Sequence, residues 1–169
     1  MIDTSKKFLV AGAGKSGIGS VNLLLKTGAD VSLYDGNEEL DKEALFEKLY
    51  EKKEISLVLG NITKEDVSKF DLLVLSPGIS VNAPIAQMFR DQEKPVWSEI
   101  ELAYQASKGR IAAITGTNGK TTTTAMLGKI MSDYLDSVYV VGNIGTPYTS
   151  VALDTKEETV TVAESSSFQ

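Results

Sequence analysis

Phe8-Leu9-Val10-Ala11-Gly12-Ala13-Gly14-Lys15-Ser16-Gly17 decides how the first half of this chain folds. Its apolar run reads as a buried strand, and glycines 12, 14 and 17 stand in G-x-G-x-x-G register. Such a register turns a strand sharply into a helix whose first N–H groups and positive dipole end face an anion. Val21, Leu24 and Leu25 continue the helical spacing. Asp35 closes the next apolar run, about twenty residues on, where an acid would hydrogen-bond a ribose. Three readings stay open here: NAD binding, another diphosphate nucleotide in the same crevice, or a tight turn that binds nothing. Lys15 and Ser16 are the side chains best placed to meet a phosphate.

A second cradle of a different kind follows about a hundred residues later. Ile111-Ala112-Ala113-Ile114 reads as a strand and leads into Thr115-Gly116-Thr117-Asn118-Gly119-Lys120-Thr121. A full P-loop is G-x-x-x-x-G-K-[ST]; here Ile114 stands where the first glycine belongs, so the loop is a variant. The physics is retained. Lys120 can neutralise β- and γ-phosphates, the loop N–H groups can wrap them, and Thr121 can ligate Mg²⁺. Thr122 lies close enough to add a phosphate contact. Glu164 ends the apolar run Val160-Thr161-Val162-Ala163, where an acid is the expected partner of the nucleotide's Mg²⁺. Asn143, in Gly142-Asn143-Ile144-Gly145, has the same placement and could hold a polar substrate group or simply cap its loop. Gly78, in Ser76-Pro77-Gly78-Ile79-Ser80, could let backbone approach a ligand or merely form a Pro-Gly turn.

Composition removes several chemistries. Zero cysteines exclude disulfides and thiolate catalysis, and zero histidines exclude Ser-His triads and most transition-metal sites within this stretch. A net charge of -6 argues against sequence-independent nucleic-acid binding. No apolar run approaches the ~20 residues of a membrane span, and the N-terminus has no signal-like apolar core. The expectation is a cytoplasmic protein without nucleic-acid or membrane partners.

Between and around the loops, short apolar runs alternate with amphipathic stretches, which predicts an α/β fold with parallel sheets covered on both faces. Strands are expected at 7–11, 31–34, 55–59, 72–75, 95–97, 111–115, 138–141 and 159–163. Helices are expected at 17–26, 42–52, 64–70, 83–92 (Asn82 capping, Pro84 in the first turn), 98–107 and 121–135. The last is expected to bury Leu127, Ile130, Met131 and Tyr134. Residues 1–97 form one Rossmann-like unit and 98–169 open a second, P-loop-type unit. With only three strands, that second unit is a poor independent core, so the chain is expected to be the N-terminal part of something longer.

Taken together, residues 115–121, Gly142-Asn143-Ile144-Gly145 and Glu164-Ser165-Ser166-Ser167-Phe168-Gln169 resemble the Mur ligases of peptidoglycan synthesis. The N-terminal glycine loop, Ser76-Pro77-Gly78-Ile79 and Ser98-Glu99-Ile100-Glu101-Leu102 extend the resemblance over the whole chain, toward the branch that adds D-glutamate. Sister ligases and folylpolyglutamate synthetases share the ATP loop. The resemblance implies three domains for UDP-sugar binding, ATP binding and a C-terminal role. It implies that ATP phosphorylates the carboxylate of UDP-N-acetylmuramoyl-L-alanine and that the D-glutamate amine displaces phosphate. By motif, Gly116, Thr117, Asn118, Gly119, Lys120, Thr121 and Thr122 would cradle ATP, with Lys120 acting on the transferring γ-phosphoryl group. Thr121 and Glu164 would hold Mg²⁺. Lys15, Ser16, Asp35, Gly36, Asn37 and Gly78 would surround the uridine diphosphate, and Asn143 would touch the muramoyl part. The family's second metal site, with a histidine and a carbamylated lysine, lies beyond residue 169, so these residues alone are expected not to ligate. A monomer is expected. The competing readings are an NAD-dependent oxidoreductase, a P-loop kinase or GTPase, and a stand-alone nucleotide-binding module. Each of the first two leaves one loop idle.

Overall fold

The structure, a computed structural model, describes residues 2–142 and 146–165. Five parallel strands form the first sheet: β1 (Lys7–Ala11), β2 (Asp30–Asp35), β3 (Ser56–Leu59), β4 (Leu72–Leu75) and β5 (Val96–Ser98), in spatial order β3-β2-β1-β4-β5. The order reverses between β1 and β4, and that switch point is where parallel sheets open a ligand crevice at their carboxyl edge.

Strand periodicity divides the core cleanly. Phe8, Val10, Leu33, Leu72 and Val74 face one side, with α1 (Lys15–Thr27), α2 (Lys42–Phe46) and α5 (Glu99–Ala106). Leu9, Ala11, Leu73 and Leu75 face the other, with α3 (Lys64–Ser68) and α4 (Pro84–Asp91). Burying each such leucine contributes roughly 1.5–3 kcal/mol, so the two central strands anchor the unit.

The second sheet is also parallel: β6 (Arg110–Ile114), β7 (Val138–Gly142) and β8 (Val160–Glu164), ordered β6-β8-β7. It carries α6 (Lys120–Tyr134) on one side and α7 (Tyr148–Val151) on the other. The α1/α5 core runs on without a break into Val141, Tyr148, Ala152 and Ala163 of this unit.

Three expectations are corrected. The helix at 42–52 stops at Phe46, and a short 3₁₀ turn follows at Tyr50–Lys52 with Glu51 and Lys52 left-handed. Asn22 of α1 is the cause: its Nδ2 donates to the Lys48 carbonyl, and its Oδ1 accepts from the Tyr50 N–H at 2.6 Å. Those backbone groups are thereby taken from the helix. The helix after Ser80 is capped at Ala83 rather than Asn82, with Pro84 opening it. On α6 the expected apolar face is only partly buried: Leu127 and Met131 are half-buried, and the helix seats itself on smaller residues. Thr124 and Gly128 are buried, whereas Ile130 and Tyr134 are 47% and 83% exposed. A Cβ on Gly128 would lie 2.3 Å from Val140 Cγ2, so the helix meets β7 through its smallest residue. The helix α7 was not expected at all, being too short to show a period.

Candidate functional site

The glycine loop is built by close approach. A Cβ on Gly17 would sit 1.7 Å from the Gly12 carbonyl oxygen, so only glycine lets α1 start this near the end of β1. No acidic residue occupies the first turn of α1, so no side chain of the helix itself offsets its positive end. Beneath the loop opens a cavity of about 470 Å³. Gly12 to Ser16, Asp35, Gly36 and the turn from Ser76 to Ile79 line it, all first-unit residues. Lys15, Ser16, Asp35, Gly36 and Gly78 are thus brought together as expected. Asn37 stands just outside, donating its N–H to Asp35 Oδ1 at 2.9 Å.

Asp35 has a role that spacing alone does not show. Its Oδ2 accepts the Ala13 N–H at 2.8 Å, so the carboxylate braces the glycine loop while lining the cavity. Two lone-pair positions on each oxygen leave room for a ligand hydroxyl or imide as well. Ser76, which motif reading treats only as part of a turn, is buried and lies at the wall between loop and turn. Its Oγ donates to the Gly12 carbonyl at a long 3.4 Å. Its signal in sequence was its position directly after an apolar strand.

The second loop has its own geometry. Gly119 is left-handed (φ 76°) and caps α6, whose first turn also carries no acid. Lys120 folds back so that Nζ donates to the Gly116 carbonyl at 2.5 Å, which holds the ammonium over the loop. Thr117, Asn118, Thr121 and Thr122 are exposed around it. Sheet register places the remaining candidate. Glu164 pairs with Ile114 on one side and Gly142 on the other, so it stands at the carboxyl edge of the sheet, between the end of β6, which leads into the P-loop, and the end of β7. Glu164 is 4% exposed, and its Oε2 has no hydrogen-bond partner among the described residues. A buried carboxylate oxygen left unpartnered is costly unless a cation or donor meets it. That is the chemistry of a hard-cation ligand. Asn143 lies outside the described residues.

Comparison with known proteins agrees with this layout. Residues 6–98 match the family described as Mur ligase MurD-like, N-terminal domain, and residues 114–169 match the Mur ligase middle domain. A UDP-N-acetylmuramoylalanine--D-glutamate ligase of Lachnospira eligens is 53% identical over 165 residues, covering 98% of this chain and 36% of that protein. The protein so named from Clostridioides difficile is 39% identical over 165 residues, covering 97% of this chain and again 36% of its own length. Among solved structures, a pseudomurein peptide ligase type C from Methanothermus fervidus superposes with a TM-score of 0.52 at 26% identity. That match covers 96% of this chain and 33% of the other. The chain therefore spans about a third of the curated relatives it matches.

Fold and loops together define the class: a Rossmann-like parallel sheet followed by a P-loop-type α/β sheet. The chain belongs to the Mur ligase family.

Proposed function

We propose that this chain is the UDP-sugar-binding and ATP-binding part of a ligase that joins D-glutamate to UDP-N-acetylmuramoyl-L-alanine. The observation that carries the reading is the pairing of two unlike anion cradles on successive parallel sheets, the second beside a buried, unpartnered Glu164 oxygen. The expected division is 1–97 for the substrate unit and 98–169 for the ATP unit; by packing, however, β5 runs to Ser98 and α5 goes with the substrate unit, since it lies on β4 and β5 and its Leu102 and Ala103 join the first sheet's core. Names of the relatives support the particular acceptor and amino acid. An NAD-dependent oxidoreductase would leave Gly119-Lys120-Thr121 without a purpose.

In this reading the diphosphate lies on the α1 N-terminus, with Lys15 and Ser16 on its oxygens and Gly78 admitting it closely. Asp35, Gly36 and Asn37 hold the uridine end. Asn143 meets the muramoyl portion. ATP lies over residues 116–122, and its γ-phosphoryl group passes to the alanyl carboxylate, giving an acyl phosphate and ADP. Lys120 stabilises the charge that builds on the transferring oxygens. The D-glutamate amine then adds to the acyl carbon; collapse of the tetrahedral adduct releases phosphate and forms the amide. Glu164 and the Thr121 hydroxyl fit Mg²⁺, which when bound neutralises phosphate charge. A nucleotide-sugar substrate and ATP support a cytoplasmic setting for this reaction.

Calorimetric titration of the chain with UDP-N-acetylmuramoyl-L-alanine, with NADH in parallel, tests the reading. Saturable binding of the UDP-sugar and none of NADH is expected. Binding of NADH alone would move the function to redox chemistry.

A further inference from the structure

The two cradles sit on different sheets, so the distance between a bound diphosphate and a bound γ-phosphoryl group depends on how one sheet is set against the other. The joint between them is therefore part of the site, and its polar contacts are specific. It consists of three helices. The first, α1, begins in the glycine loop; α5 follows directly from the last strand of the first sheet; α7 belongs to the second unit. Each packs on the other two.

Most of this joint is apolar, through Val21, Leu102, Ala103, Tyr148 and Ala152. Apolar packing resists separation but is weakly directional. Into it the chain places a carboxylate. Glu99, at the start of α5, is 3% exposed, and its Oε1 accepts both the Thr149 N–H at 3.0 Å and the Thr149 hydroxyl at 2.9 Å. Thr149, on α7, is itself 5% exposed. Its hydroxyl lies so near α1 that a Cβ on Gly19 would come within 2.7 Å of Oγ1. At the other end of α5, Ser107 Oγ and the Tyr148 hydroxyl meet at 2.7 Å. Thus α7 is pinned to both ends of α5 and pressed against α1.

Burying a carboxylate costs free energy that a hydrophobic pair of the same shape would not. Such a group brings direction instead: the two bonds form at one setting of the helices and are lost if α7 slides or turns. The reaction chemistry above makes no use of Glu99, and no ligand cavity described here is lined by it or by Thr149.

We propose that Glu99 and Thr149 form an inter-sheet lock, positioning residues that fix the angle between the substrate unit and the ATP unit. The purpose of the lock rests on the ligase reading; its existence does not. Pulsed-EPR distance measurement reads it directly, because a chain with no cysteine accepts two labels without interference. Glu65→Cys on α3 and Ser132→Cys on α6, both exposed, put one nitroxide on each unit. The doubly labelled parent is compared with Thr149→Ser, Thr149→Val and Glu99→Ala. Parent and Thr149→Ser, which keeps the hydroxyl, are expected to give the same narrow distribution. Thr149→Val and Glu99→Ala are expected to widen it about twofold, as the weakly directional apolar packing that remains lets α7 slide and turn against α5 and α1.

If Glu99→Ala fails to fold, Thr149→Val, which preserves side-chain shape, carries the test. A parental width in Thr149→Val overturns the proposal, even if its melting temperature falls, since the contact would then be local packing only. UDP titrations of the same proteins separate the two readings. Failure of the parent to bind UDP sinks the substrate assignment while the distances still report on the lock. Loss of UDP affinity in Thr149→Val at parental width would place the residue in the substrate site and overturn a positioning role.

Discussion

Gly17→Ala is the sharpest test of how the glycine loop works. The added methyl would lie 1.7 Å from the Gly12 carbonyl oxygen and 2.9 Å from Ser76 Oγ. To restore even 3.0 Å, the start of α1 must retreat from β1 by about 1.3 Å. Behind it stand Val21 and Leu24, both fully buried, so the retreat opens a seam in the core. A gap of 0.5–1 Å already forfeits roughly a quarter to a half of a contact's dispersion energy. Overpacking of this kind costs about 1–3 kcal/mol, and a clash with backbone belongs at the upper end. At about 3 kcal/mol the melting temperature falls by roughly 6–12 °C for a chain this long. The same retreat draws the helix N–H groups away from the diphosphate. Losing one charge-assisted bond, at about 1.5–3 kcal/mol, weakens UDP binding on the order of ten- to a hundred-fold. Differential scanning calorimetry and UDP titration measure the two effects. Gly14→Ala is the control: apart from its own chain neighbours, nothing lies within 4 Å of a Cβ at that position, and it should melt with the parent. A Gly17→Ala protein that melts and binds UDP like the parent would refute the close-approach argument.

Three further outcomes follow from the second loop and the surface. Lys120→Met removes the ammonium held at the Gly116 carbonyl; MgATP affinity should drop about tenfold or more while UDP binding is unchanged, measured by calorimetry. Glu164→Gln relieves a buried, unpartnered anionic oxygen, so the ligand-free protein should gain about 1 kcal/mol, while Mg²⁺-dependent ATP binding is lost. A melting temperature below the parent's without ligand would contradict that account. Asp66 is the third: the Lys69 ammonium beside it, then the Thr63 hydroxyl and N–H, lower its carboxyl to about 2. With the folded value below the ordinary 3.8, its contribution to stability is present above that pH and is lost as pH falls toward about 2. Thr63→Ala should move the carboxyl resonance titration back toward 3.8; an NMR titration that does not shift would show that Lys69 alone sets it.

Much of this protein was legible before any coordinates. Strand positions, both cradles and the parallel α/β class follow from local composition, because a glycine register, an apolar run and a helix start are each defined within a few residues. The same holds for the candidacy of Lys15, Ser16, Lys120, Thr121 and Glu164, whose residue types and places at strand ends carry their own chemistry. Contacts across the chain decided the rest. Asn22 cut short a helix whose own period was sound, since its amide lies on another element and competes for Lys48 and Tyr50 backbone. The buried face of α6 was set by the room that Val140 leaves beside Gly128, not by where the larger apolar residues of the helix fall. Asp35 gained a bracing bond to Ala13, and Glu99 a partner fifty residues away, because folding brings together groups whose attraction has no trace in sequence spacing. Local sequence determined most of the elements and which loops are candidates to hold phosphate; tertiary packing decided where α2 stops, that α7 forms, and how the elements bear on one another, because burial and hydrogen bonding depend on neighbours in space.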